Sequence, residues 1–128
     1  MKKRYLLVCL ALIISITGFD MVAPKSSAQA KGLSVTYLNL TDTTRSTSRV
    51  TLNSGEKLRY YVNVYRGDIQ FAIFKNGVMY STGRVGPGVY QDIVSGAGPG
   101  EYSLRLYCGT RDAMKTGCSV PSASIEAY

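Results

Sequence analysis

Histidine and tryptophan are absent from the 128 residues, and cysteine occurs three times. Without histidine the chain lacks the commonest general base and the commonest metal ligand. Ser–His–Asp and Cys–His catalysis are excluded, as are His-ligated zinc sites. Acidic clusters are missing too: Asp68, Asp92, Glu101 and Asp112 are scattered, with no D-x-D-x-D run to hold calcium. Beyond Lys2-Lys3-Arg4 the chain also lacks a Lys/Arg run or basic helix, which argues against a nucleic-acid partner. At 45% hydrophobic and 18% charged residues it is too apolar to be disordered and too weakly charged for a coiled coil. These absences predict a single non-enzymatic domain with no metal and no cofactor.

What is present begins with an export signal. Lys2, Lys3 and Arg4 precede an apolar run from Leu6 to Phe19, and a polar stretch ends at Ala28-Gln29-Ala30. Basic, apolar and small-residue segments in that order form the secretory pattern. The run of 14 residues falls short of the roughly 20 that span a bilayer. It reads as a signal h-region, so no stable membrane span is expected after its removal. Cleavage is expected after Ala30, with Ser26-Ser27-Ala28 offering a second cut after Ala28. Residues 1–30 are thus the signal and 31–128 the domain. Loss of the signal leaves 11 Lys+Arg against 7 Asp+Glu, a net of +4 in place of +7. A mildly basic exported domain favours anionic surfaces such as wall polymers.

Export also decides the cysteines. Cys9 leaves with the signal, and an even pair in an oxidising compartment, Cys108 and Cys118, predicts a disulfide closing residues 109–117.

The remaining chain alternates by two rather than by 3.6. Leu58, Tyr60, Val62 and Val64 alternate with Lys57, Arg59, Tyr61, Asn63 and Tyr65. Leu33, Val35 and Tyr37 alternate likewise, as do Ile69, Phe71 and Ile73, and Tyr102, Leu104, Leu106 and Cys108. Asn76-Gly77 is a hairpin signal, because both residues tolerate positive φ, and 78–82 is its expected return strand. Gly86-Pro87-Gly88 and residues 96–100 break the chain around 89–94. A last strand is expected over 118–126, with Pro121 marking an edge or a bulge. Residues 41–48 are rich in Thr and Ser and read as a polar loop, since hydroxyls compete for backbone hydrogen bonds. About eight short strands separated by turns predict an all-β antiparallel sandwich, jelly-roll-like in form.

Three segments, 52–58 (LNSGEKL), 67–71 (GDIQF) and 100–106 (GEYSLRL), resemble the strand grammar of the pre-peptidase C-terminal (PPC) domains of secreted bacterial enzymes. The resemblance spans roughly 50–108. It implies a jelly-roll-like sandwich used as an accessory module and transfers no catalytic residue.

Strand parity sends Arg59, Tyr61 and Tyr65 outward, and Arg105 and Tyr107 outward on a second strand. Tyrosine joins an apolar face to a polar tip and arginine bonds anions or hydroxyls, so these residues are the candidate contacts for an extracellular polymer. Arg111 and Lys115 in the bridged loop are candidates for a protein partner. The expected protein is secreted or wall-associated and non-catalytic. The alternatives are an inhibitor or toxin-like effector acting through residues 109–117, and a structural surface protein without a specific ligand.

Overall fold

Strand parity organises the chain in the computed structural model, which describes residues 32–128; the expected signal, residues 1–30, lies outside the described residues. The strands are β1 (Leu33–Leu38), β2 (Thr44–Ser46), β3 (Val50–Leu52), β4 (Leu58–Val64), β5 (Ile69–Lys75), β6 (Val78–Val85), β7 (Gly88–Ile93), β8 (Gly100–Cys108) and β9 (Val120–Ala127). They form two antiparallel sheets, one ordered β1-β9-β4-β7 and one ordered β2-β8-β5-β6 with β3 also on β8. The described residues contain no helix, so the expected all-β sandwich is what forms.

The inner faces meet in one core. From the four-stranded sheet come Leu58, Val62, Val64, Val120, Ala123 and Ile125; from the five-stranded sheet come Ile69, Phe71, Ile73, Tyr102, Leu104 and Leu106. Tyr60 on β4 reaches across to Phe71 on β5, with ring centroids 4.9 Å apart. Phe71 in turn lies against Gly83, where an added Cβ would stand 2.6 Å from the ring. The β5–β6 turn is the expected one: Asn76 and Gly77 both have positive φ, 51° and 83°. Pro121 sits where the β1–β9 register slips, between the pairs Thr36↔Ala123 and Leu38↔Val120. The proline therefore lies at an irregularity and not at a sheet edge, because β9 is flanked by β1 and β4.

One expectation needs correction. Residues 41–48 are not simply a loop, for they contain β2. Their hydroxyls do bind backbone, but the backbone is that of β8: Thr44 Oγ1 donates to the Leu106 carbonyl at 2.7 Å. In β1, Leu33, Val35 and Tyr37 do share a face, yet it is the solvent face, with 45%, 58% and 49% exposure. Thr36 and Leu38 point inward instead. Register decides this, since Leu33 and Val35 stand opposite Glu126 and Ser124, which face outward on β9.

Candidate functional site

The candidate contacts predicted on two strands lie on two different sheets. β4 carries Arg59 and Tyr61 on the outer face of the four-stranded sheet, whereas β8 carries Arg105 and Tyr107 on the outer face of the five-stranded one. The expected tyrosine–arginine surface is therefore not contiguous. On the four-stranded side Arg59 pairs with Glu126 and lies 4.6 Å from the Tyr128 ring centroid. Tyr61 is half-buried mid-strand, and Tyr65 is 75% exposed just past the end of β4.

The five-stranded face offers more. Rows across its strands follow from the register: Thr44–Tyr107–Gln70–Arg84, then Ser46–Arg105–Ala72–Thr82. Arg105 is exposed; its Nε donates to Thr44 Oγ1 at 3.1 Å and its guanidinium lies 5.8 Å from the Tyr107 ring centroid. Tyr107 has the expected orientation but only 5% exposure. Packed between neighbouring strands, it supports Arg105 and offers little surface of its own.

A groove of about 370 Å³ opens beside Arg105, with Phe74 and Ser103 as floor and Ser46, Ser48 and Arg49 along one wall. The wall exists because the strand edging β8 is interrupted. β2 and β3 both pair with β8, and between them the buried Thr47 keeps hold of β8 in a different way. Its N–H donates to the Leu104 carbonyl at 2.8 Å, and its Oγ1 accepts the Leu104 N–H at 2.9 Å. A side-chain oxygen thus replaces one rung of the ladder, freeing Ser48 and Arg49 to leave the sheet. Arg49 Nη1 pairs with Glu101 Oε2 at 3.2 Å.

The bridged loop lies at the other end of this face. Cys108 and Cys118 are joined, with Cα atoms 5.6 Å apart, inside the range a disulfide accepts. The enclosed residues form a small hairpin: Thr110 and Ala113 exchange backbone bonds, and Lys115 N–H donates to the Cys108 carbonyl at 2.9 Å. Lys115 and Arg111 are exposed, as expected. Arg111 does not project freely. Its N–H donates to Gln70 Oε1 at 2.7 Å, and its Nη1 lies 3.9 Å from Met79 Sδ on β6.

Sequence reasoning missed Phe74 and Ser103, although the alternation that sends Ile73 and Leu104 inward sends these two outward. Arg49 and Arg84 gave no such signal, since their position depends on which strands pair.

No protein-family model matches the chain, and no curated protein matches it in sequence. Among solved structures, the pre-peptidase C-terminal domain of collagenase from Bacillus anthracis superposes with a TM-score of 0.50 at 14% identity, covering 75% of this chain and 87% of that one. The fold is a PPC-like β-sandwich. Two further structures, the cupin domain of Schizosaccharomyces pombe Cnp3 and Peruvianin-I, a cysteine peptidase from Thevetia peruviana latex, match with TM-scores of 0.31 and 0.32. They are 13% and 22% identical and cover 75% and 86% of this chain and 65% and 69% of their own; at such scores they carry no argument. The PPC-like likeness spans both sheets' worth of chain, beyond the 50–108 stretch where the resemblance in sequence lies.

Proposed function

We propose that this PPC-like sandwich is a secreted, non-catalytic binding module that holds an extracellular polymer, such as a wall component, on the outer face of its five-stranded sheet. One observation carries the reading: exposed Arg105, steadied by Thr44 and Tyr107, stands at the mouth of a hydroxyl-lined groove with an aromatic floor. Hydroxyls, an aromatic side chain and a cation together suit a polymer that presents hydroxyl and charged groups. Arg59, Tyr61 and Tyr65 belong to the opposite face and are not part of this site.

Co-sedimentation with isolated cell-wall material tests the proposal. Retention at low salt is expected, with clear loss on Arg105→Ala and none on Arg59→Ala. Absence of retention, or loss caused by Arg59→Ala alone, would refute it. A protein partner held by the hairpin is the second reading, favoured by the order that the disulfide and its backbone bonds give residues 109–117. An inhibitor acting through that hairpin would lose activity in a protease panel once reductant opens it.

A further inference from the structure

Three arginines on one face have no acidic partner among the described residues. Among the described residues the ion pairs are Arg45–Asp42, Arg49–Glu101 and Arg59–Glu126. Arg84, Arg105 and Arg111 are exposed and belong to none of them. The nearby acids are otherwise placed: Glu101 is engaged by Arg49, Asp112 is exposed on the hairpin, and Asp68 borders a shallow depression with Arg84 without pairing.

Their arrangement keeps these charges apart. Arg105 leans toward β2, because its Nε donates to Thr44. Arg111 lies over the opposite half of the sheet, its N–H anchored at Gln70 on β5 and its Nη1 touching Met79 on β6, two anchors whose rows bracket that of Ala72. Ala72, outward by parity and yet 0% exposed, fits such a crossing. Arg84 stands on β6, in the row of Gln70 and Tyr107. With strands about 4.8 Å apart and about 3.4 Å of rise per residue, the Cα atoms of Arg84 and Arg105 are about 12 Å apart. With Arg105 leaning away toward β2, such a separation favours charges spaced along one ligand over a single small anion. A chain with repeated charges supplies them, and a guanidinium without an acidic partner matches a phosphate or carboxylate.

We infer that the ligand of this face is an extended polyanion with repeating phosphate or carboxylate groups, gripped by Arg84, Arg105 and Arg111, the last supplied by the Cys108–Cys118 hairpin. The inference rests on the binding reading above and adds its ligand chemistry and the hairpin's part in it. The two regions that sequence treated as rival sites, the strand face and the bridged loop, then act as one.

The test uses the oxidised protein and measures binding to long-chain inorganic polyphosphate, polygalacturonate, neutral dextran, duplex DNA and orthophosphate over a salt series. Binding to at least one flexible polyanion is expected, steeply weakened by salt, and the stronger of polyphosphate and polygalacturonate tells phosphate from carboxylate. Arg84→Ala, Arg105→Ala and Arg111→Ala should each weaken it several-fold and lower the salt slope by about one, while Arg111→Lys recovers part of the loss and Arg59→Ala changes nothing. Orthophosphate that competes as well as polyphosphate, duplex DNA bound more tightly than either flexible polyanion, or indifference to all three Ala variants would overturn the inference. Salt-insensitive binding of dextran or wall material that still needs Arg105 would refute the polyanion while leaving the binding face in place. Failure to hold wall material or any polymer would remove both.

Discussion

On the four-stranded sheet the outward cation is closed on itself: Arg59 meets Glu126, and the margins are apolar, with Leu33, Val35, Val89 and Ile93 exposed. On the five-stranded sheet Arg84, Arg105 and Arg111 have no acidic partner among the described residues, and Arg105 stands beside the hydroxyls of Ser46, Ser48 and Ser103. Both faces come from the same alternating strands. Pairing makes the difference, because β9 brings Glu126 directly opposite Arg59, whereas β5 brings Ala72 opposite Arg105. For Arg59 and Arg105, whether the outward charge is neutralised at home or offered to solvent is therefore a property of the neighbouring strand.

The largest effect should fall on both faces at once. Leu106→Ala removes a fully buried side chain from the shared core and should cost about 3 kcal/mol. Urea unfolding followed by tyrosine fluorescence and by circular dichroism should give coincident transitions; separate ones would mean that the faces are not one cooperative unit. Replacing both Cys108 and Cys118 by Ser should cost about 2–3 kcal/mol on loop-entropy grounds. It should also weaken binding on the five-stranded side alone. Thr47→Val leaves the Leu104 N–H without its side-chain acceptor and should cost about 1–3 kcal/mol, measurable as a lower urea midpoint. Arg59→Ala should cost less than about 1 kcal/mol, since the Arg59–Glu126 pair is about one-third exposed; a larger loss would mean that the closed face carries more stability than its exposure implies.

The smallest effect is alkaline. Burial, helped by the charge of Asp92, raises the Tyr60 hydroxyl above its usual 10.0. The folded protein then holds that proton more tightly than the unfolded chain does. Its contribution is intact below pH 10 and is lost as pH rises through the raised value. Tyr60→Phe should flatten the fall in urea midpoint above about pH 10.

Period-two alternation made β4, β5 and β8 legible, and Asn76-Gly77 fixed the β5–β6 hairpin. The cysteine count likewise pointed to the bridge that closes the second hairpin. Alternation names the residues that share a side without saying which side is wet, so Leu33 and Val35 of β1 stand in solvent. It is equally silent about strand order, the property that separates Arg59 from Arg105. The polar stretch 41–48 hid β2 because threonine and serine serve turns and edge strands by the same hydrogen bond, differing only in the backbone that receives it. Tyr107 shows a last limit: an outward side chain can be covered by its neighbours, and no local pattern reports that.

The gap at Thr47 has a colloidal consequence as well. An uninterrupted strand from Thr44 to Leu52 would present a long row of free amides and carbonyls, a template onto which another polypeptide could add. Two three-residue pieces, β2 and β3, separated by a segment that turns away, deny that template its length. Substitutions that straighten residues 47–49 into the sheet would therefore erase the groove wall and leave a margin prone to self-association.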